Sequence, residues 1–146
     1  MLNKQIISTE KAPSLPNIYN QAIAVNGLVF CSGTIAIDPE SEKIIDGDIK
    51  AHTHQVLKNL AGVLEAANTS LDNVVKLNVY LSDMDNFTAM NEVYVQYFPN
   101  EKPCRTLVDP LISHRRIANF KTKVCVAVKT LPWGTDVEME CTAVQA

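Results

Sequence analysis

Hydrophobic and polar residues alternate with a period of two in two stretches of the chain, which predicts two half-buried strands. The first runs from Val74 to Leu81, and the second occupies the C-terminal residues. In the first, the expected apolar face carries Val75, Leu77, Val79 and Leu81, and the polar face carries Lys76, Asn78 and Tyr80. In the second, Val137, Met139, Cys141 and Ala143 alternate with Glu138, Glu140 and Thr142.

Two other stretches space their hydrophobic residues as amphipathic helices do. The first helix is expected to end near Asn68, with Asp48 as its N-cap, and its apolar positions are Val56, Leu60, Val63, Leu64 and Ala67. The second is expected from about Asp85 to Phe98, with Asp83 or Asp85 near its start. Its apolar positions are Phe87, Met90, Tyr94, Tyr97 and Phe98.

A hairpin is expected near the N-terminus, because Asn26-Gly27 separates the short apolar runs 22–25 and 28–32. Both residues tolerate the positive φ angles of a type I′ turn. A polar loop containing Asp38-Pro39 follows.

The resulting order of strand, strand, helix, strand, helix, strand, strand predicts an α+β protein with both helices on one face of a mixed sheet. The other face, with Asn78, Tyr80, Glu138 and Glu140, must be solvated or covered by another subunit. A homo-oligomer with sites between its subunits is therefore a hypothesis at this stage.

Length and composition fit one domain spanning residues 1–146, with 47% hydrophobic and 20% charged residues. No apolar run is long enough to cross a bilayer, so no membrane partner is expected. The N-terminal residues lack the pattern of a secretory signal or a mitochondrial presequence, so a cytoplasmic location is expected. The net charge of -3 argues against broad nucleic-acid binding.

The cysteines and histidines predict no metal site. Four cysteines, Cys31, Cys104, Cys125 and Cys141, form no C-x-x-C pair and lie in or beside apolar stretches, which indicates small, buried, reduced thiols. His52 and His54 are two positions apart and do not share a helix face, so both are expected at the surface.

Residues 107–124 interrupt what otherwise looks like one strand, because Pro103-Cys104-Arg105-Thr106 and Cys125-Val126-Ala127-Val128 look like its two halves. A structureless connection of this length is uncommon inside a compact domain. The segment is therefore interpreted as an atypical insertion, and the position of Arg105 relative to Cys125 decides what the protein can do.

The chain resembles the Rid (reactive intermediate deaminase) family, also described as translation-inhibitor or heat-responsive perchloric-acid-soluble proteins. Matching motifs include Leu28-Val29-Phe30-Cys31-Ser32-Gly33, Tyr80-Leu81-Ser82-Asp83-Met84 and Val137-Glu138-Met139-Glu140. The other matching segments are 8–13, 19–22, 38–39, 47–49, 56–60, 64–67, 74–76, 87, 90–94, 97–98, 125–128 and 131–132. These matches keep their order over nearly the whole chain.

The resemblance implies a chorismate-mutase-like α+β fold, assembled as a homotrimer with sites between subunits. It also implies hydrolysis of 2-iminobutanoate and 2-iminopropanoate to 2-keto acids and ammonia, which protects pyridoxal-phosphate-dependent metabolism. That chemistry needs a cation for the substrate carboxylate, an oriented water and a proton shuttle. No metal and no organic cofactor is expected.

By the same resemblance, Arg105 grips the substrate carboxylate, Glu138 holds or deprotonates the attacking water, and Cys125 contributes mainly backbone polar groups. The pocket-lining positions are Tyr19, Ser32, Gly33 and Asn91. From the residues alone, a solvated strand residue is the favoured explanation of Glu138, and a core thiol explains Cys125 equally well.

The chain departs from the family pattern at Arg105, because the family places Arg and Cys two residues apart. Here the residue two before Cys125 is Lys123, which would replace the guanidinium with a point charge. If Arg105 stays at the site and 107–124 loops out, catalysis survives.

Three interpretations of 107–124 stay open. The segment is a loop that covers a subunit cleft, an unspliced intron that has been translated as if it were coding sequence, or an RNA contact. The RNA contact would use the basic residues His114, Arg115, Arg116, Lys121 and Lys123. The rival function is accordingly a non-catalytic trimeric binding or RNA-interacting protein.

Overall fold

The computed structural model describes residues 3–105 and 125–145. Most of its strands form one six-stranded sheet with the order β1-β2-β3-β8-β6-β7, and a separate hairpin joins β4 to β5. The strands are β1 (Gln5–Ile7), β2 (Ala22–Val25), β3 (Leu28–Ile35), β4 (Ile37–Asp38), β5 (Lys43–Ile44), β6 (Val74–Leu81), β7 (Cys125–Ala127) and β8 (Val137–Val144). The helices are α1 (Ile49–Ala66) and α2 (Phe87–Tyr97). The expected α+β architecture is confirmed, and its mixed character comes from the parallel pairing of β6 with β7.

The first helix begins where the sequence predicts it, and the second begins close to its predicted start. Asp48 caps α1 by accepting 3.0 Å hydrogen bonds from the backbone N–H groups of Lys50 and Ala51. A 3₁₀ turn, Met84–Asn86, precedes α2, and the Asp83 carboxylate accepts from the N–H of Asp85. The second helix therefore starts two residues later than predicted.

The hairpin between β2 and β3 is confirmed, with Asn26 and Gly27 at φ angles of 51° and 75°. β3 continues to Ile35, beyond the predicted end at residue 32, with a register irregularity between Cys31 and Thr34 in its pairing with β8. That irregularity lies where the candidate site residues of β3 are found.

The core lies between one face of the sheet and the two helices. Val137, Met139, Cys141 and Ala143 are all buried, as the alternation predicts. The assignment of Val75 to the apolar face is wrong, because Val75 is 45% exposed whereas Val74 is buried. The register between β6 and β8 shifts between Val74 and Lys76, and this irregularity turns Val75 outward.

The second face of the sheet is not covered by the described part of the chain. A row of apolar side chains crosses it, because Ile6 pairs with Ile23 and Ile23 with Phe30. Ile6 and Phe30 are 65% and 47% exposed. The polar residues predicted for this face, Asn78, Tyr80, Glu138 and Glu140, are half-buried on it.

Three predictions about individual side chains are wrong. Cys104 is exposed, whereas Cys31 and Cys141 are buried free thiols as expected. His52 is largely buried, because its Nδ1 lies 2.8 Å from Asp136 Oδ1 and its Nε2 lies 3.0 Å from the Ile45 carbonyl. His54 is half-buried, with Nδ1 3.0 Å from the hydroxyl of Tyr97.

Among the described residues, no helix is long and apolar enough to span a membrane.

Candidate functional site

An open cleft of about 1140 Å³ lies between the N-terminal segment, β3, the β4–β5 hairpin and the turn before β8. Three residues predicted for the site line it: Tyr19, Gly33 and Glu138. Tyr19 comes from the segment before β2, Gly33 from β3 and Glu138 from β8. The fold therefore gathers residues that are distant in the sequence around one carboxylate.

The Glu138 carboxyl lies in surroundings that favour its protonated form. Burial and, second, the negative charge of Glu140 raise its pKa above the ordinary value. Glu140 is held in place on the same face by Asn78, whose Nδ2 donates at 2.7 Å, and by the Tyr80 hydroxyl, which donates at 3.0 Å. A carboxyl with a raised pKa is suited to exchange protons with a substrate or water.

The charge of the same carboxylate affects the pKa of Tyr19. Its pKa is raised by burial and, second, by the charge of Glu138. The phenol therefore stays protonated and remains a hydrogen-bond donor within the cleft.

Gly33 must lack a side chain for Glu138 to occupy its position. A Cβ added to Gly33 would lie 3.1 Å from Cδ of Glu138 and would collide with the nearer carboxylate oxygen. Ser32, the preceding residue, donates its hydroxyl to the Asn20 carbonyl at 2.7 Å, while its backbone N–H donates to the Gln21 carbonyl. The Ser32 hydroxyl thus fixes the segment that carries Tyr19.

Gln21 organises one wall of the cleft, although sequence reasoning assigned it no role. Its buried side-chain amide donates to the carbonyls of Thr9, Ala12 and Pro13, and its Oε1 accepts from the Thr9 N–H at 2.7 Å. Thr9, Ala12 and Pro13 themselves line the cleft. A polar residue at the start of an apolar run, just before Ala22, was the available signal.

Arg105 does not line the cleft and lies beneath α2. It is 4% exposed, and its Nη2 donates to Oδ1 of Asn91 at 2.8 Å. The guanidinium carbon stands 4.5 Å from the centre of the Tyr94 ring and 6.0 Å from that of Phe87. Asn91 is oriented in turn, because its Nδ2 donates to the Phe87 carbonyl at 2.6 Å. This arrangement stabilises the cation in a buried position.

The register along the edge of β6 fixes where Arg105 belongs in the sheet. Cys104 forms a parallel bridge with Lys76, with its N–H donating to the Val75 carbonyl at 2.9 Å and its carbonyl accepting from the Leu77 N–H at 3.0 Å. On the same edge, Cys125 pairs with Val79, three residues beyond Lys76.

Counting three residues from Cys104 shows that Cys125 takes the position that residue 107 would take in an uninterrupted strand. Arg105 therefore stands two strand positions before Cys125, opposite Leu77. That is the spacing of the family motif. Lys123 and the rest of the segment 107–124 lie outside the described residues. The three interpretations of that segment therefore stay predictions.

The predicted site residues form two groups on opposite faces of the sheet. Tyr19, Ser32, Gly33 and Glu138 lie together around the cleft, whereas Arg105 and Asn91 lie under α2 on the helix-covered face. Glu138 alternates with buried Val137 and Met139, so its side chain leaves the sheet on the opposite side from the core. Within one chain the described structure does not bring the two groups together. Among the described residues, no cluster of three or more His, Cys, Asp or Glu side chains is suited to hold a metal ion.

A two-helix layer on a mixed sheet, with a glutamate-bearing cleft on the other side, defines an α+β protein of a widespread type. The family model described as endoribonuclease L-PSP matches residues 9–145. The chain belongs to this family, whose members also carry the names Rid and RutC.

Three relatives show how closely the chain follows the family. A RutC family protein of Pyrococcus abyssi is 48% identical over 106 residues, which cover 73% of this chain and 84% of the relative. The human protein named 2-iminobutanoate/2-iminopropanoate deaminase is 34% identical over 144 residues, covering 99% of this chain and 92% of the relative. The crystal structure of yeast Mmf1 superposes with a TM-score of 0.83 at 35% identity, covering 99% of this chain and all of that one. Deamination is thus an activity found among the relatives of this chain.

Proposed function

We propose that this protein hydrolyses reactive 2-imino acids, namely 2-iminobutanoate and 2-iminopropanoate, to 2-keto acids and ammonia. The observation that supports the proposal most directly is the strand register, in which Arg105 stands two strand positions before Cys125. The whole chain, 1–146, acts as one domain in which 107–124 is an insertion. Cytoplasmic location remains part of the proposal, and fractionation of cells expressing the full chain tests it.

The reaction needs one water and returns every proton it uses. Glu138, as carboxylate, holds the water and takes a proton while the oxygen attacks the imine carbon. Glu138 passes this proton to the nitrogen, which gives the carbinolamine. It then takes the proton of the carbinolamine hydroxyl and delivers it to the amine, so the C–N bond breaks, ammonia leaves and the C–O bond becomes a carbonyl. The raised pKa of Glu138 suits it to accept and return that proton.

Arg105 is the group proposed to bind the substrate carboxylate, because a guanidinium can donate two parallel hydrogen bonds to its oxygens. Tyr19, Ser32, Gly33 and Asn91 line the substrate, and Cys125 contributes its backbone polar groups. Since the Arg105 side chain is 4% exposed, substrate binding requires it to shift from beneath Tyr94. Lys123 has no role in the proposed site, because Arg105 binds the substrate carboxylate.

A second copy of the chain is needed, because Glu138 and Arg105 lie on opposite faces of the sheet in one subunit. The apolar row of Ile6, Ile23 and Phe30, in which Ile6 and Phe30 are exposed and Ile23 is half-buried, favours association through the uncovered face. We propose a homotrimer in which Arg105 of one subunit approaches Glu138 of its neighbour. Light scattering on the full chain measures the assembly directly.

Deletion of residues 107–124 tests the function, because the register predicts that this deletion joins the two strand halves without a shift. In the shortened chain, residue 106 would face Asn78 and Cys125 would still face Val79. Deleting 107–123 or 106–124 instead changes the spacing by one residue and turns the following side chains to the other face. Those two variants are the matched controls.

The expected result is acceleration of keto-acid release from freshly generated 2-iminobutanoate by the full chain and by the 107–124 deletion at similar rates. Both should assemble with the same number of subunits, and the two controls should lose activity. Activity only after the deletion would mean that the full chain is an inactivated deaminase. No activity in either would favour the rival, a trimeric binding or RNA-interacting protein, which a polarisation assay with labelled single-stranded RNA then examines.

A further inference from the structure

Trp133 stands at the mouth of the cleft in an unusual conformation. Its side chain is 67% exposed, and it lines the same cleft as Glu138 and Tyr19. Its backbone φ of 52° and ψ of 19° lie in the left-handed region, which bulky residues rarely adopt. An exposed indole in such a conformation gains no core packing that would explain it, and strain of this kind concentrates at functional sites.

The turn that carries Trp133 is held firmly on both sides. The Gly134 N–H donates to the Leu131 carbonyl at 3.2 Å, and the Thr135 N–H donates to the Pro132 carbonyl at 3.2 Å. Leu131 and Thr135 are both buried. The indole is therefore presented from a fixed backbone rather than from a loose loop.

Part of the cleft lining is apolar. Leu15, Ile37, Pro39 and Ile44 line the cleft as Trp133 does, and polar side chains, among them Glu42, Lys43 and Glu138, line it as well. A four-carbon imino acid bound at Glu138 would leave most of these apolar side chains uncovered. A substrate with a larger apolar side chain would cover more of them.

We infer that Trp133 determines substrate specificity, by packing against the side chain of 2-imino acids that carry branched aliphatic or aromatic groups. The inference rests on the proposed imine hydrolysis for the identity of the reacting group. Trp133 touches the side chain of the substrate and takes no part in the proton transfers. An apolar pocket of this kind discriminates between side chains by roughly tenfold or more.

The chain contains a single tryptophan, so its fluorescence reports on Trp133 without any catalysis. The stable keto acids 4-methyl-2-oxopentanoate and pyruvate serve as probes, because they share the carboxylate and differ only in the side chain. The expected result is saturation by 4-methyl-2-oxopentanoate at a concentration about tenfold below that for pyruvate. Equal half-saturation concentrations, or no fluorescence change with either, would overturn the inference.

Kinetics with imines generated from leucine and from alanine provide the second arm. Trp133→Asn keeps a residue that tolerates the left-handed backbone and removes the ring. It should lower kcat/KM for the leucine-derived imine about tenfold and that for the alanine-derived imine less than about twofold, with Trp133→Phe close to the parent. An equal fall for both imines, or a smaller assembly mass for Trp133→Asn, would show that the indole supports the fold or a subunit contact instead.

The two arms also separate this inference from the proposed function. Selective fluorescence titration by an otherwise inactive protein would refute imine hydrolysis and leave the apolar pocket standing. Acceleration of both imines without selectivity, and without an effect of Trp133→Asn, would leave the hydrolysis standing and refute the pocket.

Discussion

Arg105 and Cys125 are twenty residues apart in the chain, yet they occupy positions two apart along the same edge of β6. This edge of β6 pairs first with Cys104 and then with β7, so two separate segments of the chain continue the sheet there. Because the bridge between Cys104 and Lys76 puts Arg105 opposite Leu77, a guanidinium group occupies that position.

Replacing this guanidinium by an ammonium group should reduce activity strongly. Arg105→Lys keeps the charge but loses the planar contact with Tyr94 and the paired N–H donors. We expect kcat/KM for 2-iminopropanoate to fall roughly a hundredfold, the size of effect seen when a reacting group is misplaced by about 1 Å. The reciprocal exchange Lys50→Arg, at the exposed ion pair with Glu92, is the control and should leave activity unchanged. Similar losses in both variants would contradict the role of Arg105.

Glu138→Gln should abolish activity and stabilise the fold at neutral pH. The folded state raises the pKa of Glu138, so it binds a proton more readily than the unfolded chain does. Stability is therefore lost as pH rises through the raised pKa, and the neutral amide avoids that loss. We expect a higher melting temperature than the parent at neutral pH, a smaller difference at acidic pH, and a rate lower by about 10²- to 10⁴-fold. A stability difference that is the same at neutral and acidic pH would show that folding does not raise the pKa of this carboxyl.

Removing the neighbouring charge should move the pH profile of the reaction. Glu140→Gln preserves an oxygen that can accept from Asn78 and Tyr80, but it removes the second cause of the raised pKa of Glu138. The acid limb of kcat/KM should therefore shift to lower pH, though incompletely, because burial is the larger cause. Glu65→Gln, in the exposed pair with Lys11, should leave the limb in place. An unshifted profile in Glu140→Gln would mean that another group titrates.

The contact between Gly33 and Glu138 can be isolated by a double-mutant cycle. The φ angle of Gly33 lies outside the left-handed region, so alanine is permitted by the backbone, and the nearest atoms to its Cβ belong to the Glu138 side chain. Because the end of that side chain can shift, Gly33→Ala should lower the free energy of unfolding by about 1 kcal/mol, the low end of the cost of overpacking. In a Glu138→Ala background the same change should be almost neutral. Equal losses in both backgrounds would point to a different clash.

The sequence predicted the regular parts of the fold because their patterns are long. β6 and β8 each have eight residues, enough for a period of two to be visible, and the apolar and polar sides of β8 came out as expected. β1, β4 and β5 were missed, since segments of two or three residues carry no measurable period. Val75 was misassigned because a shift in strand register is a property of the pairing, which alternation does not reveal.

The candidate site was recognisable from the sequence only residue by residue. The resemblance named Glu138, Tyr19 and Arg105, but it did not reveal that they lie on opposite faces of one subunit. His52 was taken for a surface residue because its partner Asp136 is 84 positions away. Gln21 was missed for a different reason, because three of its four side-chain hydrogen bonds run to backbone carbonyls of a segment without regular structure.

The edge of β6 also bears on the insertion that we propose for residues 107–124, because it allows a change of chain length there without a change in the sheet. Register there is set by hydrogen bonds on either side of the interruption, so the connection only has to join two ends that already have fixed places. The entropy of closing such a connection grows slowly, by about 0.6 kcal/mol for each doubling of its length. Folding therefore exerts little selection on the length of this segment, and a gain or loss of residues there can persist in a lineage whether or not it serves the reaction.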